Sequence, residues 1–356
     1  TISGSGTVTL NSGANSARAI NEATRVNILG GNSLSSVTVG GATVAASNDT
    51  LVSGTINTVI DASGFNGQFV GNFTQNQGDN DVAGVTTQVI GGPLTTDTVR
   101  VSYTGAGNPN FQLNTQAVER IDITMDNTAT QFVADMSLAT GVTSVTTTDA
   151  SSESIRFNSV AEGITFTANS TDATASTIQV VRASSTGNAD SQTFVLGADD
   201  ANDNVAITMA DIETTNISGN TATGYNNRVD AELANISMTA SGATNTINFT
   251  GTVPFNIVNT NADLATIDAS GMSTGGDVVM EENSRTNINA VNYIGTKGND
   301  TFVFRHADDI MDGGEGNDTL DINYPGVLAN INIYLSKNDQ VDLFGDLSTS
   351  IIKNFE

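Results

Sequence analysis

Apolar residues in this chain fall in short runs that alternate with polar ones, and Gly, Asn, Asp and Ser clusters separate the runs. Thr7-Val-Thr-Leu10, Arg25-Val-Asn-Ile28, Ser36-Val-Thr-Val39, Thr98-Val-Arg-Val101, Arg120-Ile-Asp-Ile123, Ile164-Thr-Phe166 and Thr246-Ile-Asn-Phe249 are examples. A period of two sends successive side chains to opposite faces of a strand. Ile121 and Ile123 are therefore expected to face a core while Asp122 faces water. Thr, Val and Ile favour a pleated surface, and Asn, Gly and Asp favour turns. Helix formers such as Lys, Glu and Leu are scarce, so the prediction is an all-β protein.

The runs recur at intervals of about 10 to 20 residues, a spacing shared by β-solenoids and arrays of sandwiches. Two internal echoes favour a solenoid, in which each coil meets the same neighbours above and below. Thr58-Val-Ile-Asp61-Ala-Ser-Gly64 returns as Thr266-Ile-Asp268-Ala-Ser-Gly271. Val118-Glu119-Arg-Ile121-Asp-Ile123 returns more loosely as Ile212-Glu213-Thr-Thr-Asn-Ile217. The expected body is a β-solenoid resembling a parallel β-helix; the alternative is a row of tandem Ig-like β-sandwiches. It would span residues 1–292, with a break between sub-domains near 105–117.

From Tyr293 the texture changes. Gly295-Thr-Lys297-Gly298-Asn-Asp300-Thr-Phe302 and Gly313-Gly314-Glu315-Gly316-Asn-Asp318-Thr-Leu320 both follow the nonapeptide G-G-x-G-x-D-x-U-x, with U a large apolar residue. In a β-roll two nonapeptides make one coil, so loops on one side lie 18 residues apart. Gly295 and Gly313 keep that interval, as do Asp300 and Asp318. Glycines let such a loop turn its carbonyls toward one point. Calcium takes six to eight hard oxygens at about 2.3–2.6 Å. One calcium site is expected between the loops, from the 295–298 and 313–316 stretches with the carboxylates of Asp300 and Asp318. Lys297 and Glu315 sit inside the loops. The unit between them keeps Asp309 and the apolar Met311 but no glycine, and Asp309 is expected to lack an acidic partner because position six of the next unit is Val327. Phe302, Met311 and Leu320 should point inward. A further acidic loop, with Asp199 and Asp203, is the best of several weaker calcium candidates, Asp97 among them.

Charge narrows the partners. The chain has 356 residues, with 38 Asp and Glu against 12 Lys and Arg, for a formal net charge of −26. Lys297, Lys337 and Lys353 are its only lysines. Nucleic-acid binding needs clustered cations, so it is set aside, and anionic membrane surfaces are disfavoured for the same reason. No apolar run approaches the ~18 residues of a spanning helix, so no membrane insertion is expected. Cysteine is absent. Together with acidity and calcium loops, that suits an extracellular protein ordered by ions rather than disulfides. The chain opens at Thr1 and stops at Glu356 in mid-pattern, which reads as a piece of a longer protein.

Enzymatic signals are weak. Gly271-Met-Ser273-Thr-Gly275 matches a nucleophile elbow, but a turn and a strand are predicted after it rather than a helix. The single histidine, His306, lies inside the calcium-loop region. Glu281 and Glu282 would point to opposite faces of a strand. A calcium-dependent polysaccharide lyase using Arg285 or Arg305 is the best enzymatic alternative, but aromatic residues make up only 5% of the chain and tryptophan is absent.

On these motifs residues 294–356 resemble the repeats-in-toxin (RTX) block of type I secreted bacterial proteins. The tail, Ile351-Ile-Lys-Asn-Phe-Glu356, is similar to the strand that leads that family into a further glycine loop. The Thr- and Asn-rich body is similar in texture to surface-layer (S-layer) proteins and large adhesins. The resemblance implies a short C-terminal calcium β-roll at 293–322, a β segment at 323–356 leading into a truncated repeat, calcium-triggered folding outside the cell and type I export. It implies a secreted, non-enzymatic subunit that self-associates into a lattice or filament on the cell surface. Cell-surface polysaccharide or lipopolysaccharide is a candidate partner, and an adhesin segment is the alternative role.

Overall fold

The computed structural model describes residues 6–11, 25–27, 34–44, 58–75, 87–103, 110–125, 132–149, 154–170, 176–184, 190–198, 205–210, 212–221, 231–234, 236–239, 245–252, 255–259, 264–273, 278–282, 290–304, 309–322, 332–334, 340–342 and 351–355. Among them there is no helix, hence none long and apolar enough to cross a membrane. Contacts divide the chain into two compact units, Thr1–Asn169 with Ile178–Ser184, and Ser170–Thr177 with Ser185–Glu356.

In the first unit successive strands go alternately to two parallel sheets. One runs Gly6–Asn11, Leu34–Val44, Gln68–Gln75, Thr98–Tyr103, Arg120–Met125, Ser144–Asp149 and Thr165–Ser170; the other runs Arg25–Asn27, Thr58–Asp61, Thr87–Ile90, Asn110–Gln116, Phe132–Thr140, Ser154–Val160 and Ser176–Arg182. Parallel neighbours need a crossover of a dozen residues or more, and here the crossover is a strand of the opposite sheet. Register stacks like on like: Val99 pairs with Ile121 and Ile121 with Val145, all three buried. Each such side chain contributes about 1.5–3 kcal/mol by leaving water. Asp122 lies on the outer face, paired with Arg120 at 2.9 Å and Arg100 at 3.4 Å. Ile121 and Ile123 face inward as expected. Phe157 and Phe166 fill the core with ring centroids 4.8 Å apart.

The second unit repeats this plan. One sheet runs Ser191–Ala198, Thr214–Thr221, Asn245–Gly251, Leu264–Met272, Asn292–Ile294, Ile310–Asp312 and Ile351–Lys353. Facing runs are Val205–Ala210 with Ile236–Thr239, and Ala231–Ala234, Phe255–Asn259, Val278–Glu282, Thr301–Phe304 and Thr319–Ile322. Asn332–Tyr334 and Gln340–Asp342 form the antiparallel exception. Long parallel ladders fit a parallel β-helix or solenoid-like body, and tandem antiparallel sandwiches are not what the described strands form.

The Asp-Ala-Ser-Gly echo is one local device used in both units. Asp61 Oδ1 accepts the N–H of Ser63 at 2.9 Å, and Asp268 Oδ1 accepts that of Ser270 at 2.9 Å. Short polar side chains make such turns by capping the backbone two residues on. Around Asp268 the register with Asn245–Gly251 slips, which marks a bulge.

Candidate metal centre

The last coils of the second unit carry the glycine loops. Asn292 pairs with Ile310 and Thr301 with Thr319, so one coil takes 18 residues whichever sheet it is followed on, whereas Ile310 next meets Ile351. Asp300 and Asp318 precede adjacent strands of one sheet, and Asp309 precedes a strand of the other. Phe302 and Met311 are fully buried and Leu320 partly so. Phe302 also meets Phe355 edge-on, with ring centroids 5.2 Å apart.

Stacked backbone holds the loops together. The Gly295 N–H donates to the Asp312 carbonyl at 2.7 Å, and the Gly313 N–H to the Lys353 carbonyl at 3.0 Å. The Glu315 N–H reaches the Thr296 carbonyl at 3.3 Å, and the Asn317 N–H reaches Asn299 Oδ1 at 2.9 Å. Glycine is required here by space. A Cβ on Gly295 would overlap the Gly313 carbonyl oxygen, and one on Gly316 would overlap that of Gly298. Gly314 and Gly316 also have positive φ, 95° and 135°, which L side chains rarely adopt.

Buried carboxylates tie coil to coil. Val278 N–H donates to Asp300 Oδ1 at 2.9 Å, and Asp300 N–H donates to Asp318 Oδ1 at 2.8 Å. Thr296 adds its N–H to Asp300 Oδ2 at 2.6 Å and its hydroxyl to Oδ1 at 3.0 Å. These bonds use three of the roughly four acceptor positions of a carboxylate. Burial pushes the Asp300 carboxyl up to about 6; the Thr296 and Val278 bonds oppose this, and the nearby Asp318 charge adds to it. Asp309 serves a backbone donor. Its Oδ1 accepts the Val291 N–H at 2.9 Å, one coil earlier on the opposite sheet. Backbone N–H groups ending a coil need an acceptor whether or not a second loop is stacked there.

Other expected site residues play smaller parts. Lys297 and Glu315 have exposed side chains. Gly298 donates its N–H to Thr296 Oγ1 at 2.8 Å. Asp199 and Asp203 lie outside the described residues, as do His306, Arg285 and Arg305. Ser273 follows a strand, and its N–H and hydroxyl both meet the Gly251 carbonyl, at 2.8 and 3.4 Å. The next described element is the strand Val278–Glu282, where a nucleophile elbow needs a helix.

Three contributors to the loop pair escaped the sequence reading. Thr296 replaces the second glycine and supplies two bonds to Asp300. Lys353 and Asn354 form a third tier: Lys353 Nζ lies 2.7 Å from Asp312 Oδ2, and Asn354 Nδ2 donates to Asp312 Oδ1 at 2.6 Å. Burial opposes the charge on Asp312, but Lys353, Asn354 and the Gly314 N–H together outweigh it and hold the carboxyl below its usual range. In the first unit Asp97 and Glu119 repeat the coil-to-coil device. Phe69 N–H donates to Asp97 Oδ1 at 2.8 Å, Gly92 N–H to Asp97 Oδ2, and Asp97 N–H to Glu119 Oε2 at 3.0 Å. Burial raises both carboxyls, only partly offset by these N–H groups. The Glu119/Glu213 echo was the available signal, because Glu213 Oε2 takes the Asp190 N–H at 2.8 Å in the same way.

The loop pair fits a hard cation in three respects. Its glycines leave a cradle that any Cβ would fill. Carbonyls of Thr296, Gly298 and Gly313 crowd into it. Asp300 and Asp318 place two buried negative charges within reach of each other. Carbonyl and carboxylate oxygens are calcium's preferred ligands. Among the described residues no group of three or more His, Cys, Asp or Glu side chains could hold a metal ion, so a site here draws on backbone oxygens. No protein-family model, curated protein or solved structure matches this chain.

Proposed function

We propose that this chain is a calcium-stabilised structural protein of the bacterial cell exterior, an S-layer-like subunit with a short RTX-type β-roll near its C-terminal end. One observation carries the reading: two glycine loops stacked one 18-residue coil apart, with Asp300 and Asp318 buried and joined by a hydrogen bond. Asp300, Asp318 and the loop carbonyls would hold the ion. Calcium would bring positive charge to these buried carboxylates, and binding to the folded state alone would then stabilise it.

The body supports a structural role. The chain is rich in Thr and Asn, suited to contacts made by hydrogen bonds and shared ions rather than apolar patches. Ser273 and its surroundings support no hydrolase. Self-association into a lattice or filament, export by a type I route and contact with cell-surface polysaccharide or lipopolysaccharide belong to the same proposal.

Electron microscopy of the purified protein with millimolar calcium and with chelator tests it. A regular two-dimensional array that dissolves on chelation is expected. Fibres would favour the adhesin reading. Calcium-independent monomers with an unchanged melting temperature would overturn the calcium reading together with the lattice.

A further inference from the structure

Three successive strands of the second unit, Ser191–Ala198, Thr214–Thr221 and Asn245–Gly251, pair in parallel with Ser191 beside Thr214 and Thr214 beside Thr246. The residues one position earlier therefore stack as a column: Asp190, Glu213 and Asn245. Alternation turns this column inward. Glu213, Thr215 and Ile217 are buried, as are Asn245, Ile247 and Phe249, and Gln192 and Phe194 follow Asp190 on the same face. Equivalent positions elsewhere hold Asp97, Glu119, Val291 and Asp309. Here they carry two carboxylates and an amide, with Gln192 and Thr215 at the next inward position.

Part of this polar set is satisfied. Glu213 Oε2 accepts the Asp190 N–H at 2.8 Å, and the Asp190 carbonyl takes the N–H groups of Glu213 and Thr214 at 3.1 and 3.0 Å. Asn245 is different. It is 0% exposed, and neither its Oδ1 nor its Nδ2 has a hydrogen-bond partner among the described residues; Asp190 Oδ2 is buried in the same condition. The ion pairs among the described residues join other groups. Buried polar atoms are normally paired, and buried carboxylates normally meet a cation.

We propose that the Asp190–Glu213–Asn245 column is a second hard-cation site, binding calcium through the carboxylate oxygens of Asp190 and Glu213 and the amide oxygen of Asn245. Charge favours an ion over water, because two carboxylates in one inward column need neutralising and a water molecule cannot do that. The site is separate from the Asp300/Asp318 loops and does not depend on how they are read.

Equilibrium dialysis of the full chain against radioactive calcium tests it, with circular dichroism to check folding. Glu213→Gln should bind one ion fewer per chain than the parent, and the same one-ion loss should appear in an Asp318→Asn background. Asn245→Asp adds a charge to the column and should bind that ion about tenfold tighter. Folded variants that match the parent in both stoichiometry and affinity would overturn the site and leave the column simply hydrated. Should Glu213→Gln fail to fold, Asn245→Asp decides alone. Tighter binding, or folding only when calcium is supplied, supports the site. Unchanged or weaker binding, or no folding in either condition, overturns it.

Discussion

The backbone N–H of Asp300 donates to Oδ1 of Asp318, 2.8 Å away and 18 residues further along the chain. Asp300 itself accepts the Val278 N–H one coil earlier. Each aspartate thus pins the preceding coil with one oxygen and brings a negative charge into a buried corner. The first function needs only an acceptor. The second leaves charge that protons or a cation must neutralise, and the two can be separated experimentally.

Asp318→Asn keeps an oxygen for the Asp300 N–H and removes the charge. In chelator the variant should melt close to the parent. In calcium the parent should gain roughly 1.4–2.7 kcal/mol at 10 to 100 times the dissociation constant, and the variant should gain little. Calorimetric melting with and without calcium checks this; equal gains in both proteins would mean that Asp318 holds no ion.

Acid should substitute for calcium in the chelated protein. The Asp300 carboxyl is raised by burial to about 6 from 3.8, so the folded state binds this proton more tightly than the unfolded state. Its stabilising contribution is fully present below about pH 3.8 and is lost as pH rises through about 6. The span corresponds to at most ~3 kcal/mol. Asp97 and Glu119 are raised too and act in the same direction. Urea midpoints in chelator should therefore be higher at pH 5 than at pH 7, with a smaller difference in Asp300→Asn. A midpoint that falls on acidification equally in both proteins would contradict it.

Two glycines with positive φ should respond differently to alanine. Gly316 lies at φ 135° with the Gly298 carbonyl where a Cβ would go, so Gly316→Ala should cost more than ~2 kcal/mol. Gly163 lies at φ 79° with nothing near that position, leaving only the left-handed penalty of about 1–2 kcal/mol. Chemical denaturation of the two variants in calcium ranks them; equal losses would show that the loop stacking is looser than the backbone bonds indicate.

Asp97 and Asp122 differ in the opposite sense from a simple count of ion pairs. Asp97→Ala leaves the buried N–H groups of Phe69 and Gly92 without their acceptor, a loss of about 2–5 kcal/mol. Asp122→Ala breaks two contacts to exposed arginines, worth under ~1 kcal/mol in total. Parallel urea titrations should show the larger effect at Asp97, although Asp122 is the residue with charged partners.

Much of the candidate site could be read directly. The Gly295/Gly313 and Asp300/Asp318 intervals predicted adjacent coils, and Thr301 does pair with Thr319. A side chain's hydrogen-bonding partner was harder to foresee. Asp309 stands in a loop stripped of glycine, and nothing near it in sequence names Val291 as its donor. Asp97 was one acidic turn among several until register placed Phe69 above it and Glu119 below. The pairing of Glu213 with Asp190 has the same origin, because the glutamate spacing showed that something recurred and gave no hint of its role.

By itself the amino-acid order determined the β class, the inward faces of runs such as Ile121-Asp-Ile123, and the 18-residue step of the glycine loops. These follow from two-residue alternation, local turn chemistry and the steric freedom of glycine, all properties of a short stretch of chain. Only the tertiary structure decided which coil lies on which, and so which carboxylate reaches which N–H. It also brought Asp190, Glu213 and Asn245 into one buried column. Stacking joins residues 18 to 42 positions apart through backbone register, and no local pattern encodes that register when coil lengths vary.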